Sequence, residues 1–332
     1  MDNNEPDYKP DIQPAKSILD VPENARQLDF PRVRWVLSLL LIATWGGAML
    51  GLLAFQLIAS LAGWGNSFLS GVLPEMTDAA GRNQMRLLLG LNHFSTFTLP
   101  GIFTLWLFYQ RKNTGWIDYL RARKMPDVGL LGWSVLALIV SIPLVLFSYQ
   151  INKLIPLPEV LHTLENDMTE TLKNLLVMDT PSELLANLIV IALLPGIGEE
   201  LLFRGVLQQQ IQRRVSSPWI AIVITAIIFS AIHLQFEGFL PRVLLGLLLG
   251  WLYWRTGNFW IPVIAHFFNN GLQVVAQYLY GHQVSTLDLE KDVEIPWMAA
   301  LFSVVLLWVT IRHIDRYHRQ PSTVNKPTIG HP

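Results

Sequence analysis

The chain has 332 residues, of which 52% are hydrophobic and only 15% are charged, whereas an ordinary soluble domain has about 25% charged residues. The formal net charge is -1, so no nucleic-acid partner is expected. Cysteine is absent from the sequence, which excludes disulfides, thiolate catalysis and cysteine-based metal sites. This composition indicates a membrane protein.

The N-terminal 31 residues are polar and have no apolar period, which predicts a disordered tail. Eight apolar stretches follow, each long enough to cross a bilayer as a helix, which takes roughly 20 residues. Only helices satisfy their own backbone hydrogen bonds within such runs. The sequence therefore predicts an all-α fold, a polytopic transmembrane helix bundle of about eight spans. The approximate spans are 33–62, 86–109, 128–151, 184–210, 218–236, 239–256, 259–280 and 296–314.

The segment from Val160 to Leu176 differs from the spans. Its apolar residues recur at spacings of three and four, whereas Glu165, Asp167 and Glu170 fall on other faces. This pattern predicts an amphipathic helix on the outer interface of the membrane. A surface connector is the simpler interpretation of this helix, and a lid is the alternative.

The loop charges predict an orientation, because loops rich in Lys and Arg stay in the cytoplasm. Both termini are then cytoplasmic, as an even number of spans requires, and the protein is expected in an inner or plasma membrane. The basic residues that fall on one side are Arg111, Lys112, Arg121, Arg123, Lys124, Arg213, Arg214, Arg255, Arg312, Arg316 and Arg319. The acidic residues in the opposite loops are Glu159, Glu165, Asp167, Glu170, Asp288, Glu290, Asp292 and Glu294.

Ionisable residues inside spans cost at least about 2.5–3.5 kcal/mol on insertion scales, and three spans hold nearly all of them. Glu199, Glu200 and Arg204 lie in the fourth span, His233 in the fifth and His266 in the seventh. Because these spans are close in sequence, the clustering predicts one shared site.

A Pro-Gly-Ile-Gly sequence at 195–198 comes directly before the two glutamates. It predicts a kinked or locally opened helix beside a water-accessible pocket. Successive helix residues point about 100° apart, so Glu199 and Glu200 are expected to face different partners. Glu200 and Arg204 share a helix face, which predicts a salt bridge between them. Glu199 is then the freer carboxylate and the candidate general base.

The two histidines are each accompanied by a residue on the same helix face. His233 lies one turn after Phe229, and His266 lies one turn before Asn270. Two imidazoles, an amide and a carboxylate are sufficient for water activation and oxyanion stabilisation. Glu199, His233 and His266 would equally suit an open catalytic site for a divalent metal such as zinc. The residues leave both alternatives open.

Three ordered motifs lie on successive apolar segments, and together they resemble the pattern of the CPBP family. That family comprises the type II CAAX prenyl endopeptidases and bacterial relatives, some of them named for bacteriocin self-immunity. The motifs are Glu199-Glu200-x-x-x-Arg204, Phe229-x-x-x-His233 and His266-x-x-x-Asn270.

The resemblance implies an intramembrane endopeptidase that cleaves membrane-embedded peptide or protein substrates. In such an enzyme Glu199 would activate water, supported by Glu200 and Arg204. His233 would position the water or a metal.

His266 and Asn270 of the third motif would stabilise the oxyanion. The family pattern does not decide whether a metal is used.

Hydropathy and the resemblance, which covers about residues 183–281, together predict four parts of the chain. Residues 1–31 are a disordered cytoplasmic tail, and 32–182 are transmembrane helices with an interfacial amphipathic helix. Residues 183–281 form the CPBP-type catalytic core. Residues 282–332 are the last transmembrane helix and a basic cytoplasmic tail.

Each candidate residue also has a purely structural interpretation. Glu200 and Arg204 taken alone would be a buried ion pair, and Phe229 and Ser230 would be packing residues. A lone histidine in a span usually makes a hydrogen bond between helices, and His93 in the second span is interpreted in this way.

Two other functions compete with the peptidase. A non-catalytic scaffold or bacteriocin-immunity protein would keep the fold but tolerate the loss of Glu199. A secondary transporter would also place carboxylates beside broken helices near the midplane. It would be expected to show paired interruptions in two repeated halves, and the sequence has one clear Pro-Gly break next to acidic residues.

Overall fold

A computed structural model describes residues 31–64, 74–110, 115–285 and 294–319. The predicted N-terminal tail lies outside the described residues except for its last position. The C-terminal tail beyond residue 319 also lies outside them. The predicted orientation also rests on several charged loop residues that lie outside the described ranges, namely Arg111, Lys112, Asp288, Glu290 and Asp292.

Over the described ranges the chain is helical, and no strand occurs in them. The α-helices are α1 (Val33–Leu61), α2 (Ala79–His93), α3 (Leu99–Tyr109), α4 (Trp116–Tyr119), α5 (Val128–Lys153), α6 (Glu159–Leu175), α7 (Pro181–Asn187), α8 (Leu194–Glu200), α9 (Gln209–Gln212), α10 (Pro218–Ala231), α11 (Phe239–Thr256), α12 (Trp260–Gly281) and α13 (Trp297–Arg319).

Three π-helical segments join some of these helices end to end. Phe94–Thr98 joins α2 to α3, Leu188–Leu193 joins α7 to α8, and Leu201–Gln208 joins α8 to α9. Pro181–Gln212 is therefore one continuous helix, called the glutamate helix below, and α2 and α3 form another over 79–109. Short π-helical segments inside longer helices are frequent at functional sites.

The predicted all-α bundle is confirmed, since each of the eight apolar stretches overlaps a helix, although α10 ends at Ala231, before the end of the stretch 218–236. Among the described residues, four helices are long and apolar enough to cross a membrane: Val33–Leu61, Val128–Lys153, Pro181–Gln212 and Trp297–Tyr317. α10 is a shorter apolar helix. The protein is therefore a membrane protein, and its total of eight spans stays a prediction.

The outer helices present large apolar side chains on their surface, including Trp45 and Leu53 on α1 and Phe302 and Trp308 on α13. Exposed apolar side chains of this kind suit contact with lipid. α13 packs along α5, and α10 packs along α11. The glutamate helix lies against α3, α10 and α12, which places its two glutamates inside the bundle.

The predicted amphipathic helix is present as α6, but one of its acidic residues is not on the polar surface. Glu165 is buried and accepts hydrogen bonds from the backbone amides of Phe236, at 2.6 Å, and Glu237, at 3.3 Å. These amides belong to the loop between α10 and α11. α6 is thereby attached to the loop that follows His233, which a periodicity argument could not show.

A buried polar seam joins α2 to the first turns of the glutamate helix. Arg82 Nε and Arg86 Nη1 both donate to Glu183 Oε1, at 2.8 and 2.9 Å. Arg86 Nε also donates to Asn187 Oδ1 at 2.8 Å. Because buried charges are stable only with their partners, these contacts fix the register of the two helices.

The predicted orientation can be tested with single cysteines, since the chain has none of its own. Asp167 on α6 and Arg214 after α9 are both exposed. We expect a membrane-impermeant maleimide to label Asp167→Cys in intact cells, and Arg214→Cys only after permeabilisation. Because Lys and Arg accumulate on the cytoplasmic side, the reverse labelling pattern would contradict the orientation.

Candidate functional site

The glutamate helix approaches its neighbours closely because two of its positions lack a side chain. A Cβ at Gly196 would lie 3.2 Å from the Phe267 amide nitrogen and from the Val263 carbonyl oxygen of α12. A Cβ at Gly198 would lie 2.6 Å from Thr98 Oγ1, closer than real Cβ contacts. The two glycines therefore let the helix pack between α12 and the π-helical segment Phe94–Thr98.

The glutamate helix has π-helical segments directly before and after α8, at the place where the sequence predicts a kinked or locally opened helix. It continues through α8 with the proline in the first turn, directly after the π-helical segment Leu188–Leu193. Proline has no N–H to pair with the carbonyl of Ile191, one turn earlier. Asn270 Nδ2 donates to that carbonyl oxygen at 3.1 Å, so an amide from α12 replaces the missing backbone donor.

The predicted salt bridge between Glu200 and Arg204 is confirmed, and both side chains are fully buried. Arg204 Nη1 donates to Glu200 Oε1 at 2.8 Å. Arg204 Nη2 donates to the carbonyl oxygen of Gly246 at 3.1 Å, and its guanidinium lies 5.0 Å from the centroid of the Phe229 ring. The arginine is thus held by an acid, a carbonyl and an aromatic face.

His266 contacts both glutamates, so the expectation that they face different partners is wrong. Its Nδ1 lies 2.8 Å from Glu200 Oε1, and its Nε2 lies 3.8 Å from Glu199 Oε2. The reason is that an imidazole carries its nitrogens on two edges, so side chains that diverge can meet the same ring. An ionised carboxylate can only accept a hydrogen bond. His266 Nδ1 therefore carries a proton and donates it to Glu200 Oε1.

His93 is a neighbour of Glu199 that was missed as a site residue. Its Nε2 lies 3.1 Å from Glu199 Oε1, and its ring stacks on Phe97 with 4.6 Å between centroids. The prediction that His93 makes a hydrogen bond between helices is confirmed. The partner is 106 residues away, and nothing in the local sequence points to it.

His233 lies just beyond the end of α10 and not within a helix as predicted. Its Nδ1 donates to the carbonyl oxygen of Phe229 at 2.7 Å. The Phe229 ring contacts both His233 and His266 edge to face, at 5.1 and 5.9 Å between centroids. His233 is also close enough to Glu199 to interact with it electrostatically. The second motif therefore places an imidazole within electrostatic range of Glu199.

The suggested metal ligands Glu199, His233 and His266 have suitable donor atoms for zinc. In the part of the chain that the structure describes, no group of three or more His, Asp or Glu side chains is arranged to hold a metal ion. The structure therefore does not assemble the suggested ligands as a metal centre.

One oxygen of the candidate base accepts no hydrogen bond from the described residues, although His266 Nε2 lies 3.8 Å from it. Glu199 is 5% exposed, and its Oε2 has no hydrogen-bond donor among the described residues. A buried carboxylate oxygen without a donor is costly, so Glu199 Oε2, like Glu200 Oε2, which also lacks a donor among the described residues, is able to accept a hydrogen bond from water.

The comparisons with known proteins agree with this geometry. Residues 181–272 match the family model described as "Type II CAAX prenyl endopeptidase Rce1-like". This confirms the resemblance found in the sequence, because all three motifs lie in that range.

One curated relative is "Uncharacterized protein YpbD" of Bacillus subtilis (strain 168), which is 36% identical over 85 residues. The matched part covers 24% of this chain and 40% of that protein, so the chain spans less than half the length of this relative. No solved structure gives a significant match.

The close packing at Gly198 generates a stability prediction. Gly198→Ala introduces a Cβ too close to Thr98, and overpacking of this kind typically costs about 1–3 kcal/mol. We expect a lower midpoint of thermal unfolding in detergent. Gly46→Ala is the matched control, since a Cβ at Gly46 meets nothing within 4 Å. Equal midpoints for the two variants would contradict the packing described here.

Proposed function

We propose that this protein, whose residues 181–272 match the Rce1-like family of type II CAAX prenyl endopeptidases, is an intramembrane endopeptidase. Its substrates would be peptides or proteins held in the bilayer. The observation that carries the proposal is the buried series of contacts from Arg204 through Glu200 and His266 to Glu199. Charges and imidazoles are expensive in a membrane and mark function there.

The base in this proposal is Glu199, acting through Oε2. That oxygen takes a proton from water while the water oxygen attacks the carbonyl carbon of the scissile peptide bond. When the carbon–nitrogen bond breaks, the same proton passes to the leaving nitrogen. Glu199 is then an ionised carboxylate again, and the two products are a carboxylic acid and an amine, which ionise in water to a carboxylate and an ammonium group.

The oxyanion partner in this proposal is His266. Its Nδ1–H donates to Glu200, which orients the ring, and this role requires a second proton on Nε2. Its Nε2 lies near Oε2 of Glu199 and could donate to negative charge on the attacked carbonyl. Arg204 supports this arrangement by holding Glu200 in position through its hydrogen bond.

Asn270 contributes less to the oxyanion than its motif position suggests. One of its two amide hydrogens is already bonded to the Ile191 carbonyl, and its Oδ1 accepts from Asn269. Only the second amide hydrogen is left for a substrate. We assign Asn270 a structural bond to the glutamate helix as well as this remaining donor, and we assign His233 the positioning of water.

The test is cleavage of a panel of membrane-anchored peptides by the purified protein in detergent. We expect turnover by the wild type and a loss of at least about 100-fold in Glu199→Gln, which keeps the shape but removes the base. Glu294→Gln is the matched control, since Glu294 is exposed and lies outside the matched region. It should retain full turnover.

Two results would contradict this proposal. Undiminished turnover in Glu199→Gln would remove the base from the mechanism. Absence of cleavage by the folded wild type across the panel would favour a scaffold or immunity role. Metal content measured on the same samples decides whether a metal assists the hydrolysis.

A further inference from the structure

His93 contacts the catalytic carboxylate from outside the part of the chain that matches the peptidase family. It is the last residue of α2, whereas the family match begins at residue 181. Its Nε2 nonetheless lies 3.1 Å from Glu199 Oε1, and the two side chains are 16% and 7% exposed. A residue of the N-terminal helices is therefore part of the immediate surroundings of the base.

The position of His93 is determined by two separate packing features. One is the buried seam in which Arg82 and Arg86 of α2 bind Glu183, because His93 lies seven residues after Arg86 and so on nearly the same helix face. The other is Gly198, where a Cβ would lie 3.3 Å from His93 Cε1. The ring is also stacked on Phe97. An imidazole held on several sides presents its Nε2 in one direction.

The proton on the ring follows from the chemistry of the partner. An ionised carboxylate has no proton to donate, so Nε2 carries the proton and donates it to Oε1. With that oxygen engaged, Oε2 is the oxygen left for water.

We propose that His93 is a positioning residue for Glu199, which holds Oε1 through Nε2–H and so directs Oε2 toward the attacking water. This rests on the proposed function of Glu199 as the base.

Three variants of His93 distinguish positioning from packing. The amide nitrogen of Gln reaches about where Nε2 lies, so His93→Gln keeps the donor, whereas His93→Asn is too short and His93→Leu has none. We expect His93→Gln to keep kcat within about threefold of the wild type. We expect His93→Asn and His93→Leu to lose kcat by about 10- to 100-fold with little change in KM, because the residue acts through the base and does not bind substrate.

A second measurement reports on the same contact without requiring turnover. Dicyclohexylcarbodiimide adds to protonated carboxyl groups in apolar surroundings, and mass spectrometry of the modified peptide locates the adduct. Loss of a donor to Glu199 favours its protonated form. We expect the adduct on Glu199 to form faster in His93→Leu and His93→Asn than in the wild type, and at about the wild-type rate in His93→Gln.

The outcomes separate this inference from the peptidase proposal. Equal kcat in all variants, or equal labelling of Glu199 in all of them, would overturn the positioning role. Equal loss of kcat in all three folded variants would also overturn it, because it would require the imidazole itself. If the wild type cleaves no peptide, the peptidase proposal fails, and the labelling rates alone confirm or overturn the contact between His93 and Glu199.

Discussion

The buried ion pair of Glu200 and Arg204 is the interaction on which the rest of the site depends. Both side chains are completely buried, and a buried charge without its partner costs several kcal/mol. The pair therefore fixes Glu200, and Glu200 in turn fixes the ring and the tautomer of His266. The Nε2 edge of that ring lies 3.8 Å from Glu199 Oε2. In the proposed mechanism the arginine would act on Glu199 through two intervening side chains, Glu200 and His266.

The helices around this pair are brought together by local features of the glutamate helix. Gly196 and Gly198 remove the side chains that would separate it from α12 and from the segment Phe94–Thr98. Asn270 replaces the hydrogen bond that Pro195 cannot make. The Pro-Gly-Ile-Gly sequence thus permits close packing around two acids while the backbone stays helical. A polar site in a membrane needs this tight enclosure, since every backbone group must still be paired.

Much of the fold could be predicted from sequence because hydropathy and helical spacing are local properties. The apolar stretches predicted the helices. The interval of four residues, which places two side chains on one helix face, predicted the salt bridge between Glu200 and Arg204. The pairing of His93 with Glu199 and the burial of Glu165 depend on tertiary packing, which has no periodic signal. The sequence does indicate that Pro195 leaves the carbonyl oxygen of Ile191 without its usual backbone donor. In the structure Asn270 donates to that oxygen.

The most direct test of the account is a single turnover in water enriched in oxygen-18, with enzyme in excess over a membrane-anchored peptide. If Glu199 acts as a base on water, the new carboxyl terminus of the product carries one oxygen-18 atom and the Glu199 side chain carries none. Oxygen-18 in the Glu199 carboxyl group, with unlabelled product, would show that Glu199 attacks the peptide as a nucleophile. That result would contradict the mechanism derived from this site.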